Sequence, residues 1–376
     1  MTNNNEIKNL KAVAQRIKEA IEKKENIILV ADADLDGICS LILLKETIES
    51  LGGKVTKIYF PDREKEGYGL SEVALEKIKQ FSPGLLLTLD LGITNFEEVK
   101  KAKEMGFFVI IVDHHEVIEK LPLADLIVDP KQPGDNYYFK NFATVGLAFK
   151  LAQEIFGEKM SFLMKKNFLE LVSLATIADM MPQERENKLM IDEGLRYIEN
   201  SLRPAFQALS IYFQLPKEIQ KAISILNVRE KNDDFPLSYC FLIAKSKKEA
   251  EEILSLLLER AKERKEMIKK FLEEIESKID ENEKIIFFGD EKLNFSVIPA
   301  IASQLCQEYQ KPTFIYKKGD KESYGTVRSP PNINSIELMK KCKELLINFG
   351  GHPQASGFKI KNENLQDFKE CLLKNL

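Results

Sequence analysis

The sequence predicts an α/β protein: an N-terminal domain on a parallel sheet, a long connector helix, and a smaller mixed α/β domain. Three observations point there. Short apolar runs alternate with helix-length stretches through the first half of the chain. A Glu/Lys/Leu-dominated stretch from Lys247 to about Ile279 contains neither Pro nor Gly. A second strand–helix–strand pattern follows it. At 376 residues the chain has room for two or three domains, each with its own core.

The apolar runs are Ile27–Val30, Val55–Phe60, Leu85–Leu89, Phe107–Val112 and Leu126–Val128, and stretches such as Ser40–Leu51 and Phe96–Gly106 are long enough for crossover helices. Residues 142–180 read as mostly helical. The uninterrupted stretch after Lys247 gives a helix of roughly 45 Å or more. It reads as a connector between two lobes, with a coiled-coil arm as the weaker alternative. Beyond it come a strand at Ile285–Phe288, a helix from about Ser296, a strand at Thr313–Tyr316 and a glycine-bearing segment over Asn348–Gly357. The expected domains are 1–200, 201–282 and 283–376.

Composition excludes several classes. Hydrophobic residues make up 44% and charged residues 30%, which fits neither wholesale disorder nor a fibre. No apolar run is long enough to span a membrane. The N-terminus is polar and lacks the apolar core of a secretory signal. The charge balance, 55 cations against 59 acids, makes −4, so nucleic-acid contact has to be local. Only nine of the cations are Arg, which makes each Arg in a motif informative. Five scattered cysteines with no CxxC pair suggest a reducing cytoplasm and argue against a disulfide scaffold or a zinc-thiolate site.

Acidic residues cluster where strands end. Asp32, Asp34 and Asp36 follow the first run in ADADLDG; Asp90 ends LLLTLD; Asp113, His114 and His115 end FFVIIVDHH. A parallel sheet gathers such positions on its carboxyl edge, where α/β folds place ligands. Clustered carboxylates repel unless cations relieve them. An oxygen-rich set with one or two imidazoles suits Mn²⁺ or Mg²⁺ rather than a thiolate-bound metal. Any single Asp after a strand is more often a helix cap. Three strands ending this way, one with tandem histidines, exceed what capping explains.

These residues resemble the DHH phosphoesterase family and, within it, the RecJ-type single-strand exonucleases. Asp113-His114-His115 is the family's naming tripeptide, and ADADLDG, LTLDLGIT and LATIADMMP are similar to its first, second and fourth motifs. The stretches 61–70, 121–135 and 143–151 are similar to RecJ segments, and Gly350-Gly351-His352 resembles the GGH signature of the family's DHHA1 domain. The resemblance implies a metal set of Asp32, Asp34, Asp36, Asp90, His114 and Asp179, with Asp113 as ligand or orienter. Asp90 would bridge two Mn²⁺ ions (Mg²⁺ as an alternative) that lower the pKa of a bound water. His115 is left as ligand, proton donor to the leaving oxygen, or phosphate contact. For the substrate the resemblance implies Arg63 and Tyr68 at the 5′ end. In the smaller domain it implies Thr326, Arg328 and Ser329 with Gly350, Gly351 and His352, Arg328 supplying a bidentate fork.

Several positions depart from the family pattern. Leu35 and Leu91 stand where smaller or polar residues are usual; ILNVREK makes Arg229 the nearest equivalent of an expected substrate-binding Arg; Ser296 and Pro299 replace glycines and are expected to cap and start a helix. No oligonucleotide-binding barrel follows the DHHA1-like region, so grip on long strands is expected to be weaker or borrowed from repair or replication partners. The implied activity is metal-dependent 5′-to-3′ hydrolysis of single-stranded DNA to 5′-mononucleotides, in the cytoplasm and away from membranes. The alternatives are a nanoRNase-like or cyclic-dinucleotide phosphodiesterase, an RNA exonuclease, or an inactive scaffold, the last opposed by the complete ligand set.

Overall fold

All five apolar runs of the N-terminal half become strands of one parallel sheet. In this computed structural model the described residues are 6–376, except 64, 119, 228–230, 233 and 281. They fall into two compact units, Met1–Ala261 and Lys262–Leu376.

In the first unit, α1 (Leu10–Glu22) leads into β1 (Asn26–Ala31), α2 (Leu35–Ser50), β2 (Val55–Tyr59), α3 (Glu72–Ile78), β3 (Gly84–Leu89), α4 (Phe96–Glu104), β4 (Phe107–Val112) and β5 (Leu126–Val128). The strand order is β2-β1-β3-β4-β5, so the chain reverses direction across the sheet between β1 and β3. With right-handed crossovers, that reversal places helices on both faces. Alternate strand residues accordingly enter two cores. Ile27, Leu29, Leu85, Leu87 and Ile110 pack with α1 and α2 and with two later helices, α5 (Thr144–Phe156) and α6 (Phe162–Ala178). Ile28, Val30, Leu86, Val109 and Ile111 pack with α3 and α4. Burial on both faces explains why the runs are apolar throughout rather than alternating. Leu35 and Leu91, the departures beside the first two acidic motifs, are buried in these cores.

The register matters most for function. Ala31 pairs with Leu89, Leu89 with Val112, and Val112 with Val128, so four strands end in one row. The next residue in each is an Asp.

After α6 come α7 (Arg185–Ile198), α8 (Pro204–Tyr212), α9 (Ile219–Leu226), the short pair β6 (Lys231–Asn232) and β7 (Phe235–Pro236), and α10 (Leu237–Leu242), all within the first unit. The expected long helix is α11 (Lys247–Glu276). Ala250, Leu254 and Leu257 of its first half bury in the core of the first unit, and Ile268, Phe271 and Ile275 of its second half in that of the second.

The second unit continues with β8 (Ile286–Asp290), α12 (Ile298–Tyr309), β9 (Thr313–Lys318), β10 (Glu322–Arg328), α13 (Ser335–Lys340), β11 (Leu346–His352), β12 (Ala355–Lys361) and α14 (Leu365–Lys374). Its sheet runs β11-β12-β10-β9-β8, parallel only between β8 and β9. α12 covers one face through Ile298, Ile301 and Leu305 against Ile315. α13 and α14 cover the other through Met339, Phe368 and Leu372 against Phe314, Val327 and Phe358.

Two expectations are corrected here. Ser296 is not the cap of α12: Val297 occupies that position, while the Ser296 hydroxyl and amide donate to Asn294 Oδ1 and Pro299 falls in the first turn. The cysteines are not all unpaired: Cys342 and Cys371 form a disulfide, their Cα atoms 6.1 Å apart. A separation of 29 residues hid the pair, which meets only because α14 folds back beside the end of α13.

Candidate active site

Three of the four Asp residues just past strand ends keep one rung of the ladder. The Asp32 amide donates to the Leu89 carbonyl at 3.2 Å, Asp90 to Val112 at 3.0 Å, and Asp113 to Val128 at 3.1 Å. The three Cα positions are thereby fixed on the carboxyl edge, straddling the point where the strand order reverses, the usual ligand position of such sheets. Asp90 adopts a left-handed backbone, φ 61°, which is strained for a residue with a side chain. Gly92, φ 120°, completes the turn, and a Cβ there would strike Thr88 Oγ1 at 2.7 Å.

The side chains converge. Ligand-capable atoms of Asp36, Asp90 and His114 lie within 4.8 Å of one another, as do those of Asp90, Asp113 and His115 and those of Asp32, Asp34 and Asp90. His114 Nδ1 is 2.8 Å from the Phe142 carbonyl oxygen, a contact that places the ring proton on Nδ1. Nε2 then presents its lone pair to Asp90 Oδ1 at 3.2 Å, Asp179 Oδ2 at 3.4 Å and Asp36 Oδ2 at 3.7 Å. A lone pair among carboxylate oxygens is unfavourable unless a cation or a proton lies between them. An imidazole tied to a carbonyl through its other nitrogen is the usual orientation of a metal-bound histidine. The donor set therefore fits hard divalent cations such as Mn²⁺ or Mg²⁺.

Titration follows the same logic. Burial, then the neighbouring Asp34 charge, pushes Asp36 up to about 7. Burial and then Asp36 and Asp34 raise Asp90 well above the ordinary carboxylate range. Burial, with His115 beside it, holds His114 well below the usual imidazole value. Asp113 goes the other way: burial works to raise it, but the charge and hydrogen bond of His115 prevail and set it at about 2. Its Oδ1 accepts from the amides of His114 and His115 and lies 2.7 Å from His115 Nδ1, while Oδ2 accepts from the Ile93 amide. Asp113 and His115 thus form a hydrogen-bonded dyad.

Asp34 has a double role. It caps α2, accepting from the Asp36 and Gly37 amides, and also faces Arg63. Gly37 at that turn has no room for a side chain, since a Cβ would lie 2.4 Å from the Asp32 carbonyl oxygen. Tyr68 donates its hydroxyl to the Asp90 carbonyl at 3.3 Å and meets the edge of the His115 ring. Asp179 sits at the C-cap of α6. Arg229 lies outside the described residues.

Four residues at this edge escaped the sequence reading. Thr144 donates its amide to Asp36 Oδ2 at 2.7 Å and its hydroxyl to Asp90 Oδ1 at 3.2 Å, and the Val145 amide donates to Asp36 Oδ1 at 2.8 Å. The N-terminus of α5 therefore clamps two candidate ligands. A signal existed: the N-cap of α5 is Ala143, which has no capping side chain, so the first amides of the helix needed a partner from elsewhere. The Phe142 carbonyl, which orients His114, carried no signal. Asp129, one residue past β5, is fully buried and raised to about 8 by burial and then Asp113.

In the second unit, the register gathers the expected substrate residues. Ala355 of β12 pairs with Arg328 on one side and His352 on the other, and Gly357 pairs with Thr326 and Gly350. Directly opposed residues share a face, so Arg328, His352 and Thr326 face the same way around a floor of Gly350 and Gly357. The GGH segment is thus a strand end rather than a free turn, with Gly351 at φ 124°. The Arg328 guanidinium is held by Ser303 Oγ of α12 at 3.1 Å and Thr326 Oγ1 at 3.2 Å. Ser329 is buried beside it, its amide donating to the Gln354 carbonyl.

Fold and site define a two-unit α/β protein with a carboxylate–imidazole centre for divalent cations on the carboxyl edge of its first sheet. The model of the DHH family N-terminal domain matches residues 26–176, and that of the DHHA1 domain matches 282–376. The chain carries an N-terminal DHH-family domain and a DHHA1 domain. It is 33% identical to the single-stranded-DNA-specific exonuclease RecJ of Bacillus subtilis over 98% of its own length, spanning about half (48%) of that relative. The solved structure of an exonuclease RecJ bound to manganese superposes with TM-score 0.79 at 25% identity, covering 100% of this chain and 96% of that one. RecJ of Thermus thermophilus, in complex with Mn²⁺, shares the fold at TM-score 0.83 and 24% identity, covering 100% of this chain and 55% of that one. Among the described residues, no helix is long and apolar enough to cross a membrane.

Proposed function

We propose that the chain is a metal-dependent exonuclease that hydrolyses single-stranded DNA from its 5′ end to 5′-mononucleotides. The observation that carries this reading is the orientation of His114, whose Nε2 faces Asp90, Asp179 and Asp36 together. The RecJ relatives support the substrate class. Asp32, Asp34, Asp36, Asp90, His114 and Asp179 would hold two Mn²⁺ or Mg²⁺ ions, Asp90 between them and Asp113 orienting the set. Bound there, the ions would supply an activated water and neutralise charge developing on the phosphate.

The remaining steps belong to the side chains. His115, its Nδ1 held by the ionised Asp113, would deliver a proton from Nε2 to the leaving 3′-oxygen. Tyr68 limits the swing of that ring by touching it while donating to the Asp90 carbonyl. Arg63 would contact the strand on the first unit, and Arg328, Thr326, Ser329, His352 and the Gly350–Gly351 backbone would contact it on the second; Arg229 is proposed as a further contact.

The test is digestion of end-labelled single-stranded DNA and RNA oligomers with 5′-phosphate, 5′-hydroxyl or blocked 3′ ends, in Mn²⁺. The expected result is stepwise release of mononucleotides from a 5′-phosphorylated DNA end. Cleavage confined to di- to pentanucleotides would replace this reading with a short-oligonucleotide phosphodiesterase. Preference for RNA would change the substrate, and inertness toward every oligomer would leave a scaffold.

A further inference from the structure

Arg63 stands where its charge does two incompatible things. Its Nε donates to Asp32 Oδ1 at 2.8 Å, one terminal nitrogen pairs with Asp32 Oδ2, and the same nitrogen lies 3.3 Å from Asp34 Oδ2. Asp32 is only 3% exposed, and the fork covers both of its oxygens. A buried carboxylate needs such a counter-charge. Yet Asp32, Asp34 and Asp90 are also one of the groups whose oxygens converge closely enough to hold a cation. A guanidinium and a divalent ion cannot both take the same carboxylate edge without placing two positive charges in contact.

The flanking residues are held in place, so an exchange would fall to the side chain. The loop carrying Arg63 is pinned on both sides: Glu66 accepts from the Asp62 amide, the Tyr59 hydroxyl and the Ser71 hydroxyl, and Asn95 bonds the Leu70 amide and carbonyl. Gly69, φ 93°, lets the loop pass Asn95, where a Cβ would come within 2.4 Å of the amide oxygen. The guanidinium stacks 5.0 Å from the centre of the Tyr68 ring. That aromatic face gives a released guanidinium a platform.

We propose that Arg63 is an exchangeable counter-ion. It neutralises Asp32 and Asp34 until a divalent cation takes those carboxylates, and the displaced guanidinium, guided by Tyr68, then binds a phosphate of the incoming strand. Metal loading thereby creates an anion-binding group and puts metal before strand in the order of assembly. This inference rests on the metal-dependent reading above.

Mn²⁺ binding, followed by electron paramagnetic resonance of the free ion, tests it without turnover. Arg63→Ala removes a competitor, so it should bind the weaker Mn²⁺ at least about tenfold more tightly than the wild type. Arg63→Gln, which keeps hydrogen-bond donors, guards against a folding defect and should show the same tightening, while Arg63→Lys should stay near the wild type. In parallel, Mn²⁺ should increase modification of Arg63 by phenylglyoxal, mapped by peptide mass. Unchanged or weaker Mn²⁺ binding in Arg63→Ala and Arg63→Gln, or protection of Arg63 by the metal, would overturn the exchange while leaving strand cleavage by the wild type to stand. Failure of every protein to bind Mn²⁺ would overturn this inference and the metal-dependent reading together.

Discussion

His114 Nδ1 donates to the Phe142 carbonyl oxygen at 2.8 Å. That one bond sets the tautomer of a buried imidazole and aims its other nitrogen at three carboxylates from three different segments. Phe142 lies two residues before the first residue of α5, so the helix that clamps Asp36 and Asp90 also aims the histidine. The α5 N-terminus and the residue two before it therefore hold two carboxylates and the histidine together.

Thr144→Val keeps shape and burial but removes the hydroxyl that donates to Asp90. Mn²⁺ affinity and turnover are expected to fall about 10–100-fold with little change in fold. Calorimetry with Mn²⁺ and circular dichroism separate the two effects, and a variant with unaltered affinity would show that the clamp is irrelevant.

Stability should depend on pH with a sign set by the raised carboxyls. Without added metal, Asp36 in the folded protein keeps its proton up to about pH 7, and Asp90 is raised with it, whereas the unfolded chain loses both near pH 4. The folded state binds more protons in that window, so its stability declines as pH rises. His114, held neutral, works the other way below its ordinary 6.5, which makes the decline steepest above that value. Mn²⁺ should flatten it. Thermal melts in chelator and in Mn²⁺ from acid to mildly alkaline pH check this; parallel curves would rule out a cation among these carboxyls.

His115→Ala is expected to slow cleavage of ordinary strands by about 10²–10⁴-fold. A 5′-nucleotide ester with a p-nitrophenyl leaving group needs no proton, so on that substrate the defect should largely vanish. An equal defect on both would assign His115 to metal or phosphate contact instead.

Asp90→Ala should abolish turnover while the sheet remains folded. Normal turnover in that variant would refute the whole site assignment.

The Cys342–Cys371 disulfide closes a separation of 29 residues, and its loss should cost the second unit about 3–4 kcal/mol. Melting with and without reductant, and of Cys371→Ser, reads this directly.

Much of the architecture was legible in one dimension. Runs such as Ile27–Val30 and Leu85–Leu89 announce strands buried on both faces, because a parallel sheet covered by helices leaves no polar side to alternate with. An Asp following three of those runs announced the cluster, because strands of a parallel sheet all end on one edge. The tandem histidines and the GGH segment carried their own pattern.

What stayed hidden depends on contacts between segments far apart in the chain. Asp36 is capped by amides more than a hundred residues away. Thr144 reads as an ordinary helix residue until β3 is placed beside it, and Cys342 and Cys371 meet only through the packing of α13 and α14. Nothing in the loop around Arg63 announces that its guanidinium lies on Asp32, as it does in the fold. Composition and periodicity report what each residue prefers locally. Which donor satisfies which acceptor depends on register and packing, and these exist only once the strands are side by side.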